Sequence, residues 1–348
     1  MREDFSIACV VVTFNRKNLL LETLNALLQQ SVPPTAIFLI DNHSTDGTPE
    51  LLQAKHFLAT CPPTENTVTY YSEVMITTKL CLYYTRLAKN LGGAGGFHEG
   101  IKQAFTQEYA WIWLLDDDAC PEYQALWHLS RYLHYNSELV ALASSVWGED
   151  NALQLAHRGH FNQKNAFPYL HTPLIESAYQ QQTVWIEMAS FVGLLIKREA
   201  IQKIGLPKRE FFIHHDDVEY CLRLKTVGKI LLVPASKIIH KDGSNVQNEQ
   251  WRSFLGRRSK RIPLNRLWLF YFSVRNAVCL GRQQLSGINL ILQLALYFLK
   301  LSTGILVYDT LKKERLYCLY QAFKDGILAN FDNPYPFQLK KSLSFIEK

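Results

Sequence analysis

The segment Ile-Ala-Cys-Val-Val-Val-Thr at 7–13 offers no polar face before its last residue, so as a strand it must be covered on both sides. Leu19, Leu20, Leu24, Leu27 and Leu28 follow at helical spacing, and Pro33-Pro34 closes that helix. The unit then repeats: a strand over 36–40 ending at Asp41, a helix over 48–58, a strand over 82–88, a helix over 96–105 and a strand over 111–115. A polar, proline-bearing stretch at 61–67 reads as a surface loop or insertion. Repeated strand–helix units predict an α/β fold, a mostly parallel sheet flanked by helices, with ligands at the carboxyl ends of its strands. Beyond about residue 140 the pattern loosens into short strands near 140–146 and 184–196, a loop-rich stretch at 150–182 and a helix over 216–227. From Trp251 onward the chain reads as several helices.

Polar clusters fall at those strand ends. Val-Val-Thr-Phe-Asn-Arg (11–16) follows the first strand and Asp-Asn-His-Ser-Thr-Asp-Gly-Thr (41–48) the second. Thr13, Asn15, Arg16 and Asp41 are short polar or charged groups suited to a nucleobase and ribose, with Asp41 a natural acceptor for a uracil N–H. Taken singly, Asp46-Gly47 is a turn and Ser44 or Thr45 a helix cap. Their joint placement at neighbouring strand ends favours a ligand site. Asn90-Leu-Gly-Gly-Ala-Gly-Gly-Phe then leads from a strand into a helix. Beside Asn90, the glycines Gly92, Gly93, Gly95 and Gly96 let backbone N–H groups approach an anion at a helix N-terminus, which suits a diphosphate. Neither common phosphate loop fits, since His98 stands where GxGxxG needs glycine and no Gly-Lys-Ser/Thr is present.

The strongest local signal is Trp-Ile-Trp-Leu-Leu-Asp116-Asp117-Asp118. Three consecutive carboxylates delivered by a buried strand repel one another unless a cation or solvent relieves them. Oxygen ligands favour Mg²⁺ or Mn²⁺, which in such sites bridges protein and a substrate diphosphate. In an extended segment Asp116 and Asp118 point one way and Asp117 the other. Phe-Phe-Ile-His-His-Asp216-Asp217-Val-Glu219-Tyr places a second carboxylate group in the first turn of a helix. A general base toward a sugar hydroxyl fits there, with Asp216 and Glu219 orienting the acceptor. The plainer alternatives are helix-dipole complementation and a Glu219–Arg223 pair.

Composition narrows the class. Hydrophobic residues at 48% and charged residues at 20% of 348 exclude disorder, collagen and coiled coil. Seven scattered cysteines without a CxxC pair exclude a disulfide framework and a cysteine zinc site, and suit a reducing compartment. Met1-Arg2-Glu3-Asp4 lacks the basic-then-apolar order of a signal peptide, so export is not expected. Residues 1–250 hold 21 Lys and Arg against 26 Asp and Glu, whereas 251–348 hold 16 against 5. A mildly acidic body with a basic tail predicts that the tail meets an anionic surface. Residues 283–308 carry one charge, Lys300; Ser286, Asn289, Gln293, Lys300 and Thr303 form a polar stripe that favours an interfacial or core-packed helix over a spanning one.

Taken in order, these motifs resemble the glycosyltransferase family 2 enzymes with the GT-A fold, over about residues 6–280. Within that family the likeness is to bacterial rhamnosyl- and galactofuranosyltransferases. It is carried by Asn-Leu-Gly-Gly-Ala-Gly-Gly-Phe, Leu-Asp-Asp-Asp-Ala, His-Asp-Asp-Val-Glu-Tyr, His240 and Tyr-Phe-Ser-Val-Arg275-Asn276. The resemblance implies a catalytic domain over 1–250, its nucleotide half about 1–120 and its acceptor half 121–250, followed by a basic helical region over 251–348. It implies a UDP- or dTDP-linked sugar donor held by Asp117 and the polar and glycine residues above, a Mn²⁺ or Mg²⁺ ion on Asp116, Asp118 and His240, and Asp217 as base. Inversion at the anomeric carbon, a polyprenyl-linked glycan acceptor in bacterial surface polysaccharide assembly, and a cytoplasmic enzyme held peripherally at the inner face of an anionic membrane follow from the same resemblance, with a homo-oligomer left open. His214-His215 departs from it, because the galactofuranosyltransferases carry an aromatic residue such as Trp there. Two other classes compete: a non-catalytic nucleotide-sugar-binding module, and a nucleic-acid-binding protein using the basic tail. The second leaves Asp116–Asp118 and the glycine run unexplained and shows no RNP, zinc or helix-turn-helix signature, so no nucleic acid is expected.

Overall fold

The computed structural model describes residues 6–62, 69–77, 80–161, 171–241, 250–254 and 256–343. Most of the proline-bearing stretch expected as a loop at 61–67 lies outside them. In chain order the first half comprises β1 (Ile7–Thr13), α1 (Lys17–Leu28), β2 (Ala36–Asp41), α2 (Thr48–Ala54), β3 (Tyr70–Thr77), β4 (Leu80–Arg86), α3 (Gly92–Thr106), β5 (Trp111–Asp116), β6 (Ala119–Pro121) and α4 (Ala125–Ser130). Then come β7 (Leu139–Trp147), β8 (Arg158–Phe161), β9 (His171–Pro173), β10 (Val184–Ile186), β11 (Met188–Ala189), β12 (Leu194–Lys197), α5 (Arg198–Ile204), α6 (Asp216–Leu224) and β13 (Lys229–His240). The chain ends in β14 (Gln250–Phe254), β15 (Arg257–Arg261), α7 (Leu267–Gln284), α8 (Gly287–Tyr308), α9 (Lys312–Leu328) and α10 (Tyr335–Leu343).

The main sheet runs β10-β13-β7-β12-β5-β1-β2-β4-β3, with β6 added on β13. Strands β5, β1, β2 and β4 form a parallel block, joined through antiparallel β12 to the parallel pair β7–β13. Every residue of β1 and β2 is buried, as the continuous apolar runs require. Register brings the carboxyl ends level: Thr13 pairs with Asp41, Asp41 with Arg86, and Val12 with Asp116. The polar clusters are therefore gathered at one edge of the sheet.

By packing, the chain forms two units, one of Met1–His160, Thr172–Phe212 and Asp216–Lys241, the other of Phe161–His171, Ile213–His215 and Asp242–Lys348. In the first, α3 lies against β1 so closely that a Cβ on Gly96 or Gly100 would stand 2.4 or 2.3 Å from a Val12 or Val10 methyl. In the second, α7 packs on α9 through Tyr271, Phe272, Ala277, Val278, Cys318, Leu319 and Ala322, all buried.

Four features differ from the expectation. An antiparallel edge strand, β3, precedes β4; its exposed side carries apolar Tyr71 and Met75 on either side of Glu73, so no alternation of apolar and polar residues marks it in the sequence. Helix α3 begins at Gly92, not 96, because the glycines themselves form its first turn. Strand β13 is twelve residues long and irregular between Val233 and Lys237, around Pro234, which hides its length. The stretch from Trp251 opens with the β14–β15 hairpin, not a helix. On a helix Arg257, Arg258, Lys260 and Arg261 would meet as like charges three and four residues apart.

Candidate active site

Strand β5 delivers the acidic triplet, and β6, pairing with the end of β13, sets His240 opposite Ala119. That register brings Asp116, Asp118 and His240 together, with one ligand atom of each within 4.8 Å of the others. Asp118 is buried, and its Oδ1 has no hydrogen-bond partner; it stands 3.3 Å from His240 Nε2. An orphaned carboxylate oxygen between a second carboxylate and an imidazole is a donor set that fits a hard divalent cation.

Electrostatics agree with that reading. Burial and the neighbouring Asp118 raise the Asp116 pKa to about 7, whereas His240 and Arg16 hold Asp118 below its ordinary value against the opposing effect of burial. The cluster is short of positive charge. Arg16 relieves part of it, its Nη1 lying 2.6 Å from Asp118 Oδ2 and 3.4 Å from Asp117 Oδ1.

His240 is oriented by residues that the sequence did not single out. Its Nδ1 lies 3.0 Å from Gln154 Oε1, which also lies 3.0 Å from His157 Nε2, while His157 Nδ1 meets Ser190 Oγ at 2.7 Å. Because Gln154 Oε1 only accepts, His240 Nδ1 carries a proton, and Nε2 is the ring atom directed at Asp118. Gln154 and His157 lie in a loop-rich stretch without periodicity. A polar pair three residues apart was the only available signal.

The expected donor-binding residues divide into two sets. Asp117 turns away from the other two acids: its Oδ2 accepts from Thr13 Oγ1 at 2.7 Å and from Phe14 N at 3.3 Å, so Asp117 and Thr13 fix the end of β1. Burial raises the Asp117 pKa to about 6 against the opposing Arg16 charge. Asp41 is fully buried, bonded by Ser44 N and Tyr84 Oη, both at 2.7 Å, with Arg86 Nε at 3.9 Å. Asn15, in the left-handed region at φ 54°, accepts from Thr45 N at 2.7 Å and ties the two strand-end loops together. These residues shape the edge of the site. Asn90 Oδ1 accepts from Gly92 N at 2.7 Å.

The glycine run has a packing role that composition alone did not reveal. At Gly92, φ is +73° and a Cβ would meet Phe212 O at 2.0 Å, so only glycine fits. Gly95 and Gly96 are hemmed in by Leu91 and Val12, whereas Gly93 has open space.

Helix α6 carries Asp216, Asp217 and Glu219 in its first turn. Burial, then the neighbouring Asp217, pushes Asp216 well above the usual carboxylate range, and Asp116 adds to the push. The two acidic groups therefore share one field. Asp217 is half-buried, and its Oδ1 accepts from Val218 N at 2.7 Å. Glu219 is buried and held by Arg223 at 2.7 Å and Lys208 at 3.2 Å, the plainer of the two roles its spacing allowed.

The family model for Glycosyl transferase family 2 matches residues 8–205. The galactofuranosyltransferase GlfT1 of Mycolicibacterium smegmatis is 27% identical over 225 residues, covering 64% of this chain and 66% of that protein. Its namesake in Mycobacterium tuberculosis is 26% identical over 226 residues, with the same coverage. In both cases the match spans just under two thirds of the relative's own length. Among solved structures, the mannosyltransferase PcManGT of Pyrobaculum calidifontis, in complex with GDP-Man and Mn²⁺, superposes with a TM-score of 0.50 at 13% identity, over 99% of this chain and 81% of that one. At that identity the likeness bears on the fold alone.

Proposed function

The chain belongs to glycosyl transferase family 2, and on that footing we propose an inverting, metal-dependent transfer of a galactofuranose- or rhamnose-class sugar from a UDP- or dTDP-linked donor to a polyprenyl-linked glycan. The observation that carries this reading is the Asp116, Asp118 and His240 cluster with its orphaned carboxylate oxygen, at the edge where the parallel strands end. The names of the mycobacterial relatives support the galactofuranose arm, and the Mn²⁺ of the Pyrobaculum calidifontis mannosyltransferase supports the choice of ion. The edge of the sheet suits the donor: Thr13, Asn15, Arg16, Asp41 and Asp117 order the loops around a nucleotide, and Asn90 with Gly92, Gly93, Gly95 and Gly96 forms the helix start toward its diphosphate.

Bound at Asp116, Asp118 and His240, Mn²⁺ or Mg²⁺ would offset the charge of the departing diphosphate. Asp217 accepts the proton of the acceptor hydroxyl as its oxygen bonds to the anomeric carbon; the bond from that carbon to the diphosphate oxygen breaks, and the electron pair leaves with the nucleoside diphosphate. Attack opposite the leaving group inverts the anomeric centre. Asp216 orients the acceptor, and Glu219, through Arg223 and Lys208, anchors the helix that carries both.

The test is a screen of purified protein against UDP-galactofuranose, dTDP-rhamnose and UDP-hexopyranoses, with Mn²⁺, with Mg²⁺ and with chelator. Transfer from one of the first two, abolished by chelator and restored by metal, is the expected result. Tight donor binding without turnover on any acceptor would make the chain a binding module instead.

A further inference from the structure

The Arg275-Asn276 pair, part of the motif set but without a role in the chemistry above, sits in the middle of α7. Both residues are buried, at 1% and 0% exposure. Asn276 Nδ2 donates to Ile213 O at 2.9 Å and to His214 O at 2.8 Å, using both hydrogens of its amide. Its Oδ1 accepts from Arg275 Nε at 2.9 Å and Nη2 at 2.8 Å. A guanidinium only donates, so Arg275 fixes which end of the Asn276 amide faces the two carbonyls. Arg275 is itself held over Phe272 and Phe331, each with its ring centre 4.9 Å away.

The clamped backbone is unusual. His214 and His215 lie consecutively in the left-handed region, at φ 66° and 64°. Side chains with a Cβ avoid that region, and two in succession persist only where surrounding contacts hold them. The next residue along the chain is Asp216, followed by Asp217. We infer that Asn276, locked by Arg275, is a positioning residue for the proposed base: it holds the left-handed turn at His214-His215 and so sets the direction in which α6 starts. This rests on the assignment of Asp217 above, but the clamp itself has a readout independent of activity.

The experiment compares the wild-type chain with Asn276→Ala and with Asn276→Ala combined with His215→Gly. Glycine adopts positive φ without the Cβ penalty, so it lowers the cost of the turn at 215 where the clamp is gone. In Asn276→Ala, amide hydrogen exchange at 214–218 should accelerate while the rest of α6 and the parallel strands keep their protection. kcat should fall about 100-fold, as for a reacting group displaced by about an ångström, with the KM for donor changing less than about threefold. His215→Gly in that background should recover part of the lost kcat, since the strained turn is then less costly to reach. If Asn276→Ala does not fold, Arg275→Lys, which removes the paired donation to Asn276 Oδ1 but keeps the charge, should give the same local exchange signature. Unchanged exchange at 214–218 in folded protein overturns the clamp, whatever the activity. Accelerated exchange with normal kcat, or a loss of kcat that glycine does not reduce, overturns its positioning role. Absence of transfer in the wild-type chain with every donor would count against the proposed function and leave the exchange result to decide the clamp.

Discussion

At the scale of single residues the site is a problem of unbalanced charge, and its pH dependence follows. Asp116 with its pKa raised to about 7 takes up a proton in the metal-free fold between the unfolded carboxylate range and neutrality. Metal needs the ionised form, so Mn²⁺ affinity should rise with pH from 5.5 and level off above about 7.5. Calorimetry in buffers of different ionisation enthalpy should show a proton released on binding near pH 6. A raised carboxylate pKa means that the native state holds the proton more tightly than the unfolded one. Its contribution to stability is therefore lost as pH climbs from about 4 to 7, and metal should restore it. Asp116→Ala and Asp118→Ala should each abolish metal-dependent donor binding; full donor affinity in both variants would remove the metal from the mechanism. Asp217→Asn keeps the shape but not the proton acceptor, so turnover should drop by about two to four orders of magnitude with donor and metal affinity preserved. Near-normal turnover would move the role to Asp216. The acidic triplet was legible as residues because carboxylates at a strand end are costly without a partner, whereas His240 rested on the family resemblance. The opposite direction of Asp117 followed from strand alternation, but its bond to Thr13 and the inward role of Asp41 did not, since both depend on which neighbouring strand end lies within reach. Gln154 was illegible because its partner is 86 residues away.

At the scale of elements, what the sequence resolved depended on period. Continuous apolar strands and leucine-faced helices were readable to within a few residues. The edge strand β3, the long β13 with its Pro234 and the basic hairpin β14–β15 were not, because exposure, proline and like charge all blur a strand's alternation. Helix α3 shows how a motif can carry two meanings. By sequence its glycines offer a surface for a diphosphate, and in the structure they also let the helix settle onto β1. Those meanings separate by position. Gly100→Ala places a methyl 2.3 Å from Val10 Cγ1, in a fully buried strand, and should destabilise the fold by about 1–3 kcal/mol. Gly93→Ala meets nothing within 4 Å and should be neutral or stabilising by up to about 1 kcal/mol. Denaturant melts of the two variants should therefore shift in opposite directions or differ by more than about 1 kcal/mol; equal destabilisation would mean that packing does not explain the run.

At the scale of the whole molecule the open question is where transfer takes place, and α8 bears on it most. The sequence left this helix between interfacial and core-packed; core packing is excluded, since only Ile305 is buried along its 22 residues. One side meets α9, with Tyr297 and Phe298 against Phe323, while Ile288, Ile291, Leu292, Leu296 and Leu299 stay more than half exposed. An 18-residue window within α8 has a mean hydropathy of 1.9, and by length and composition the helix also suffices to cross a bilayer. A face of that kind in water needs a cover. The charge around it favours an anionic leaflet: the chain from 251 onward carries the excess of Lys and Arg, and Arg257, Arg258 and Lys260 of the hairpin are exposed or nearly so. Each basic group near such a leaflet contributes roughly 1 kcal/mol, and salt weakens it, whereas burial of the α8 face is indifferent to salt. Binding to vesicles with anionic lipid should therefore fall with ionic strength but level off above zero. Replacing Arg257, Arg258 and Lys260 by glutamine should remove the salt-sensitive part and leave the plateau, whereas Arg261 is left in place because it pairs with the buried Asp309; replacing Ile291, Leu292 and Leu296 by serine should remove the plateau. Donor hydrolysis in solution should be unchanged in the first variant. A wild-type protein that ignores anionic vesicles at low salt would assign the α8 face to a second copy of the chain, to be seen as a dimer in sedimentation, and would take from the lipid-linked acceptor its main physical support.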